Sequence, residues 1–225
     1  MASGDSDRCE RASRAHWVRK IAIGCMASLV ACAPPYYTAD PIEAWVVDAE
    51  TGQPIEGAVV TANWQLVSVG LDTGGRKLHQ LEVKETRTDK NGRFYFPGFT
   101  KLNNMVDELR EEDPQLLIFK PGYKYYRTVN SYPTKEAQPG AHRQARVGHE
   151  TLKMKSVASS AEKSAADLSS LSSHLESIAN SGDSRLIPQM LRSVVCEAQR
   201  LQKRDPRLLV AVLGTPEMEA NCERG

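Results

Sequence analysis

The chain has no surplus of charge of either sign. Its 225 residues hold 29 Lys and Arg against 28 Asp and Glu, a formal net charge of +1. Five basic side chains (Arg8, Arg11, Arg14, Arg19, Lys20) and three acidic ones (Asp5, Asp7, Glu10) fall in residues 1–31, so the rest carries 24 against 25. A nucleic-acid binder needs a basic surface to displace phosphate counterions, and nucleic acid is excluded as a partner. Long apolar runs are missing too. The one candidate, IAIGCMASLVA at residues 21–31, has eleven residues, where a helix crossing about 30 Å of hydrocarbon takes roughly 20. Metal-ligand spacing is absent: neither CxxC nor HxxxH occurs, and no metal is expected. Nor is there a nucleophile elbow, a phosphate loop or a pair of catalytic carboxylates. These absences predict a protein that is not an enzyme and carries no cofactor.

What is present is the composition of an ordinary globular protein, 40% hydrophobic and 25% charged, in a length that allows one or two domains. Arg14, His16, Arg19 and Lys20 precede the apolar run, a pattern that fits a secretory signal peptide over residues 1–31. The alternative is a buried helix of a globular domain. Such a helix would alternate faces, whereas this run is apolar all round and stops at Pro34 and Pro35. Its last residues with Cys32, LVAC, resemble the bacterial lipobox. The resemblance implies a diacylglyceryl group on the Cys32 sulfur, cleavage before Cys32 and acylation (palmitate) of the new amino terminus. Each buried methylene contributes about 0.8 kcal/mol, so several chains hold a protein durably at a membrane. Ala33 follows in place of aspartate, which by the same resemblance favours the outer membrane, facing the periplasm. Residues 32–41 then read as the acylated cysteine and a proline-rich, semi-rigid tether. Tyr36 and Tyr37 sit either at the membrane interface or against the domain.

Of the five cysteines, Cys196 and Cys222 remain once Cys9 and Cys25 leave with the signal and Cys32 is acylated. In an exported protein this pair fits a disulfide; two free, buried thiols are the alternative.

From residue 42 to 155 the pattern is one of short strands. Residues 42–64 place two β-branched runs around a turn built from Asp48, Thr51, Gly52, Pro54 and Gly57. Asp89, Lys90, Asn91 and Gly92 form a tight connection between residues 85–88 and 93–96, with Phe94 and Phe96 on one face. Residues 115–129 read as a buried strand, a Pro-Gly turn and a further strand, and residues 149–155 as a strand closing the sheet. The class is mainly β, an antiparallel sandwich followed by a small helical segment. Three stretches, VDAETGQPIEGAVV, TDKNGRFYF and FKPGY, resemble the hallmarks of the carboxypeptidase regulatory-like domain, a transthyretin-like (prealbumin-like) sandwich. Two excursions depart from that family. Residues 65–80 hold Gly70, Gly74 and Gly75, and residues 100–114 carry DELREED, expected as a helical or acidic loop with a solvated surface. The resemblance implies a scaffold or adhesive module without a catalytic group.

Residues 156–225 turn to serine, alanine and leucine. Ala161, Leu168 and Leu175 repeat at seven, as do Val157, Ser164, Leu171 and Ile178, giving an amphipathic helix. Residues 180–184 break it, with Gly182 as C-cap and Asp183 or Ser184 as N-cap. A second helix runs to about Arg204 with Pro188 in its first turn, and residues 207–214 suggest another. The stripe serves a hairpin packed on itself or on the sandwich, in preference to an oligomeric coiled coil.

His79, His142, His149 and His174, with Tyr123, Tyr125, Tyr126 and Tyr132, invite comparison with the Tyr/His iron site of intradiol dioxygenases, whose sandwich is related. Those enzymes pair two histidines closely on one strand, whereas His142 and His149 are seven apart in a polar loop. The Tyr-Arg-Gly-Ser ending of 5-hydroxyisourate hydrolase is also missing. The expected function is a membrane-anchored, non-enzymatic envelope lipoprotein that binds or supports an envelope protein partner. The rival is binding of a carbohydrate or peptidoglycan fragment at the sandwich loops.

Overall fold

The computed structural model describes residues 36–69, 76–102, 107–110, 112–130, 142–157, 160–181, 184–208, 210 and 222. In chain order the strands are β1 (Tyr36–Ala39), β2 (Ile42–Asp48), β3 (Val59–Val69), β4 (Arg76–Arg87), β5 (Arg93–Phe96), β6 (Phe99–Leu102), β7 (Glu108–Leu109), β8 (Gln115–Phe119), β9 (Tyr126–Val129), β10 (His142–Arg143) and β11 (Thr151–Met154). The helices are α1 (Ala161–Ser181) and α2 (Pro188–Arg204), with a 3-10 turn at Ser184–Leu186 between them.

Period-two alternation builds a sandwich. The large sheet has the order β4-β3-β8-β9 with β7 also on β3; the opposing layer is two small sheets, β11-β2-β5 and β10-β1-β6. Ile42, Ala44 and Val46 of β2, Phe94 and Phe96 of β5 and Met154 of β11 meet Val60, Ala62 and Trp64 of β3 and Leu116 and Ile118 of β8 in one core. The intervening residues Arg93 and Tyr95 face solvent, as a half-buried strand requires. Two pairings are parallel, β2 with β11 and β1 with β10; the others are antiparallel.

Both predicted turns are present, and they are corners between the two layers. Asp89 Oδ1 accepts hydrogen bonds from the amides of Asn91 (2.8 Å) and Arg93 (2.9 Å), while β4 pairs with β3 and β5 with β2. The turn after β2 is alike: Asp48 Oδ1 accepts from the amides of Glu50 (2.9 Å) and Thr51 (2.8 Å). These bonds pull the Asp48 carboxyl below its ordinary range.

Three expectations need correction. Residues 36–39 are no tether: they form β1, hydrogen-bonded to β6. Tyr37 is buried with its hydroxyl donating to the Asp107 carbonyl (2.5 Å), whereas Tyr36 stays out. The excursion after Trp64 is strand, because β3 and β4 extend into one long hairpin. Its register shifts between Trp64 and Gln65, where Trp64 pairs with Glu82 and Gln65 with Gln80. A bulge of this kind leaves Leu81 as the extra residue, packed against the core; Gly70, Gly74 and Gly75 lie outside the described residues. In the acidic excursion, Glu108 and Leu109 form β7, not a helix. They pair with Leu66 and Val67 on the stretch of β3 that lies beyond its ladder with β8, which satisfies backbone groups an unpaired edge would expose.

The helices form a third layer. Leu168, Leu171, Leu175 and Ile178 of α1 and Met190, Leu191, Val194, Ala198 and Leu201 of α2 share a core with Val59, Leu117 and Phe119 from the outer face of the large sheet. The apolar stripe is therefore used within the chain. Strand β8, covered on both faces, is buried at every position. Residue 156 is thus a change of composition and no boundary between independent cores. The predicted N-cap also differs. Asp183 and Gly182 lie outside the described residues, Ser184 starts the 3-10 turn, and α2 begins after Ile187, which makes no side-chain cap bond. Glu85 on β4 caps it from a distance, accepting from the amides of Gln189 and Met190 (both 2.9 Å). The further helix expected at residues 207–214 falls mostly outside the described residues.

Candidate functional site

The residues singled out in the sequence do not converge. Cys32 and Tyr132 lie outside the described residues. Cys196, on α2, and Cys222 form a disulfide-capable pair with Cα atoms 5.2 Å apart. His79 Nε2 lies 2.9 Å from Ser68 Oγ, His142 Nε2 lies 2.9 Å from Asp40 Oδ1, and the ring of His149 stacks at a tilt on Trp45, 6.4 Å between centroids. No group of three or more His, Cys, Asp or Glu placed to hold a metal occurs among the described residues. None of the described helices is long and apolar enough to cross a membrane.

A different set of residues does come together. On β3 the side chains facing the helical layer run Val59, Thr61, Asn63, Gln65; on β8 they run Phe119, Leu117, Gln115, directly opposite. One end of this face is apolar and sealed by α1 and α2. The other end is a buried polar band, with Thr61, Asn63, Gln65 and Gln115 all withdrawn from solvent. Buried polar groups demand partners, and here they find long side chains at the margin. Gln80 donates to Asn63 Oδ1. Arg110 Nη1 donates to Gln65 Oε1 (3.0 Å), and its Nη2 to Glu112. The Gln115 amide, with its oxygen turned to Arg127, accepts from Nε (3.1 Å) and Nη2 (2.6 Å).

The band opens into a cleft of about 290 Å³ walled by Gln65, Arg110, Gln115 and Arg127 of the sheet side and by Ser173 and His174 of α1. Leu78, exposed on β4, adds an apolar rim. His174 donates through Nδ1 to the Ser170 carbonyl (2.8 Å), and its ring lies 5.8 Å from that of Tyr125. Tyr125 is tied to α1 through its own amide, which donates to Asp167 Oδ2 (2.9 Å); burial raises the Asp167 carboxyl above its ordinary range. Buried Asn130, just after β9, ties the end of that strand to neighbouring segments. Its Nδ2 donates to the carbonyls of Asp113 (3.0 Å) and Gln144 (2.7 Å), and its Oδ1 accepts from the Arg146 amide (2.7 Å). The Asp113 carboxylate in turn accepts from the Gln65 amide. Guanidinium, amide and hydroxyl groups converging on one opening suit a polar, oxygen-rich ligand.

The fold is thus a β-sandwich backed by a two-helix layer, with a cleft where sheet and helix part. No family model matches the chain, and no curated protein matches it. Among solved structures it is similar to a 3-chlorocatechol 1,2-dioxygenase from Rhodococcus opacus 1CP, at 17% identity and TM-score 0.31, over 57% of this chain and 62% of that one. It is similar to the pilus 2b backbone protein of group B streptococcus at 13% identity and TM-score 0.26, over 52% and 41% of the two chains. A hydroxyquinol 1,2-dioxygenase from Pseudomonas putida DLL-E4 follows at 13% and 0.26, over 56% and 58%. The chain spans less than two thirds of the length of each, and no ligand or activity carries over from likenesses this weak. They do correct one expectation. With dioxygenases among the similar structures, the exclusion of an enzyme is withdrawn. That exclusion rested on missing local motifs, whereas a sandwich assembles sites from residues far apart in the chain, as this cleft does.

Proposed function

We propose that the protein is a cell-envelope lipoprotein, anchored through the acylated Cys32 at the outer membrane and facing the periplasm. Its carboxypeptidase regulatory-like sandwich and helical layer act as a binding or structural module for an envelope protein assembly. The observation that carries this reading is LVAC at the end of the apolar run, with the first strand starting four residues after Cys32. The Cys196 and Cys222 pair supports the same address, since disulfides persist in oxidising compartments. A second reading, binding of a carbohydrate or peptidoglycan fragment, is favoured by the polar cleft on the large sheet.

Cys32→Ser tests the anchor. The variant should lose acyl labelling and leave the membrane fraction; a variant still labelled and still membrane-bound would end the lipoprotein reading.

A further inference from the structure

We propose that the cleft between the large sheet and α1 binds a small ligand through an oxyanion, a carboxylate or a phosphate, with Arg127 as its principal contact. The inference deepens the binding-module reading and rests on it. Three features of the cleft point to a negatively charged guest.

The first is how the two guanidinium groups are partnered. Arg110 is bonded to Gln65 and to the Glu112 carboxylate. Arg127 is bonded to an amide oxygen alone, and among the described residues no carboxylate lies within ion-pair distance of it. An amide orients a guanidinium without neutralising it, so the positive charge stays available. Gln115 takes up Nε and Nη2, which leaves Nη1 and the second Nη2 hydrogen among the five donors of the fork. The second feature is rigidity. Gln65, inside β3, and Gln115, at the start of β8, are both buried, so the arginines they hold are positioned before any ligand arrives, which lowers the ordering cost of binding. The third is the opposite wall. Ser173 and His174 face the arginines from α1, and the Ser173 hydroxyl, which donates to the Ser169 carbonyl (3.2 Å), keeps its lone pairs for a donor on the rest of the ligand. The two carboxylates bonded to residues of the cleft wall are themselves engaged, Glu112 with Arg110 and Asp113 with the Gln65 amide. A volume of about 290 Å³ stands at the small end of ligand sites, which run from about 300 to 1,000 Å³.

Titration calorimetry on the purified full-length chain in nonionic detergent, with citrate, glucuronate and inorganic phosphate, tests this. We expect saturable binding of at least one probe, weakening as salt is raised. Binding of citrate or glucuronate alone identifies a carboxylate ligand; binding of phosphate identifies a phosphoryl one. Arg127→Gln should weaken the bound probe about tenfold or more, and Arg127→Lys, which keeps charge but not the fork, by less. Ser173→Trp, on the exposed face of α1, should block the cleft without touching a guanidinium. No binding of any probe at millimolar concentration, or affinities unchanged in Arg127→Gln and Ser173→Trp, overturns the site. Acyl labelling of Cys32 reads out separately, so the loss of the cleft and the loss of the anchor are distinguishable.

Discussion

Two glycines with the same backbone angle have different reasons to be glycine. Gly52 has φ 71° and Gly92 has φ 72°, a region costly to any residue with a Cβ. At Gly52 an added Cβ meets nothing within 4 Å, whereas at Gly92 it would lie 2.3 Å from the Val46 carbonyl oxygen. That carbonyl accepts the Ile55 amide (2.9 Å), and the Gly92 carbonyl accepts the Val46 amide (2.8 Å). Gly52→Ala should therefore cost about 1 kcal/mol, the conformational term alone. Gly92→Ala should cost about 3 kcal/mol or more, since backbone must move as well. Urea melts of the two variants side by side would measure the difference. The turn chemistry at both positions was legible from Asp, Asn and Gly in sequence, because it acts within four residues. The close approach of Val46 to Gly92 was not, being set by pairing between strands 46 residues apart. Arg127 was hidden for the same reason: it reads as one basic residue in a tyrosine-rich strand until β8 brings Gln115 beside it.

At the scale of elements, the junction of helix and sheet turns on Glu85. Its carboxylate caps α2 and takes a hydrogen bond from Thr61 (3.4 Å), and nearby Arg87 donates to Gln189 (2.9 Å). Removing such a cap costs about 1–2 kcal/mol, which is the expected loss in Glu85→Ala. Glu85→Gln keeps one acceptor oxygen and should lose less. Burial raises the Glu85 pKa above the model-compound 4.5, against the lowering by the two capping amides. The folded protein thus holds this proton more tightly than the unfolded chain does. The proton-linked part of the Glu85 contribution to stability is fully present below about pH 4.5 and falls as pH rises through the folded pKa. Glu85→Gln should remove that share of the slope, so urea melts from pH 4.5 to 7 should show the two proteins converging less at the acid end than at neutrality. The amphipathic stripes of α1 and α2 were legible from their 3.6-residue period. The start of α2 was not, because its cap sits about a hundred residues earlier, on a strand.

For the whole molecule, the helical layer and the sandwich stand or fall together. A chain ending at residue 155 would expose Val59, Leu117 and Phe119, all at most 3% exposed in the intact protein. We expect such a truncation to bind a hydrophobic dye, to melt at lower temperature and to aggregate, where an independent sandwich would do none of these. The change of composition near residue 156 suggested a separate segment; only the three-layer packing reveals a second core that the helices share with the outer face of the large sheet, because the period of a helix says which face is apolar and nothing about what covers it. The sandwich itself was legible from alternation and turns, and the bends between sheets were not. Its second and last strands, β2 and β11, run side by side in the same direction, joined from Thr151 opposite Trp45 to Met154 opposite Asp48. A pull on the two ends of the sandwich would load those hydrogen bonds in shear, all at once, where an antiparallel pair would peel one bond at a time. A domain fastened to a membrane at one end and gripped by a partner at the other would, by this pairing, behave as a clasp that resists mechanical tension.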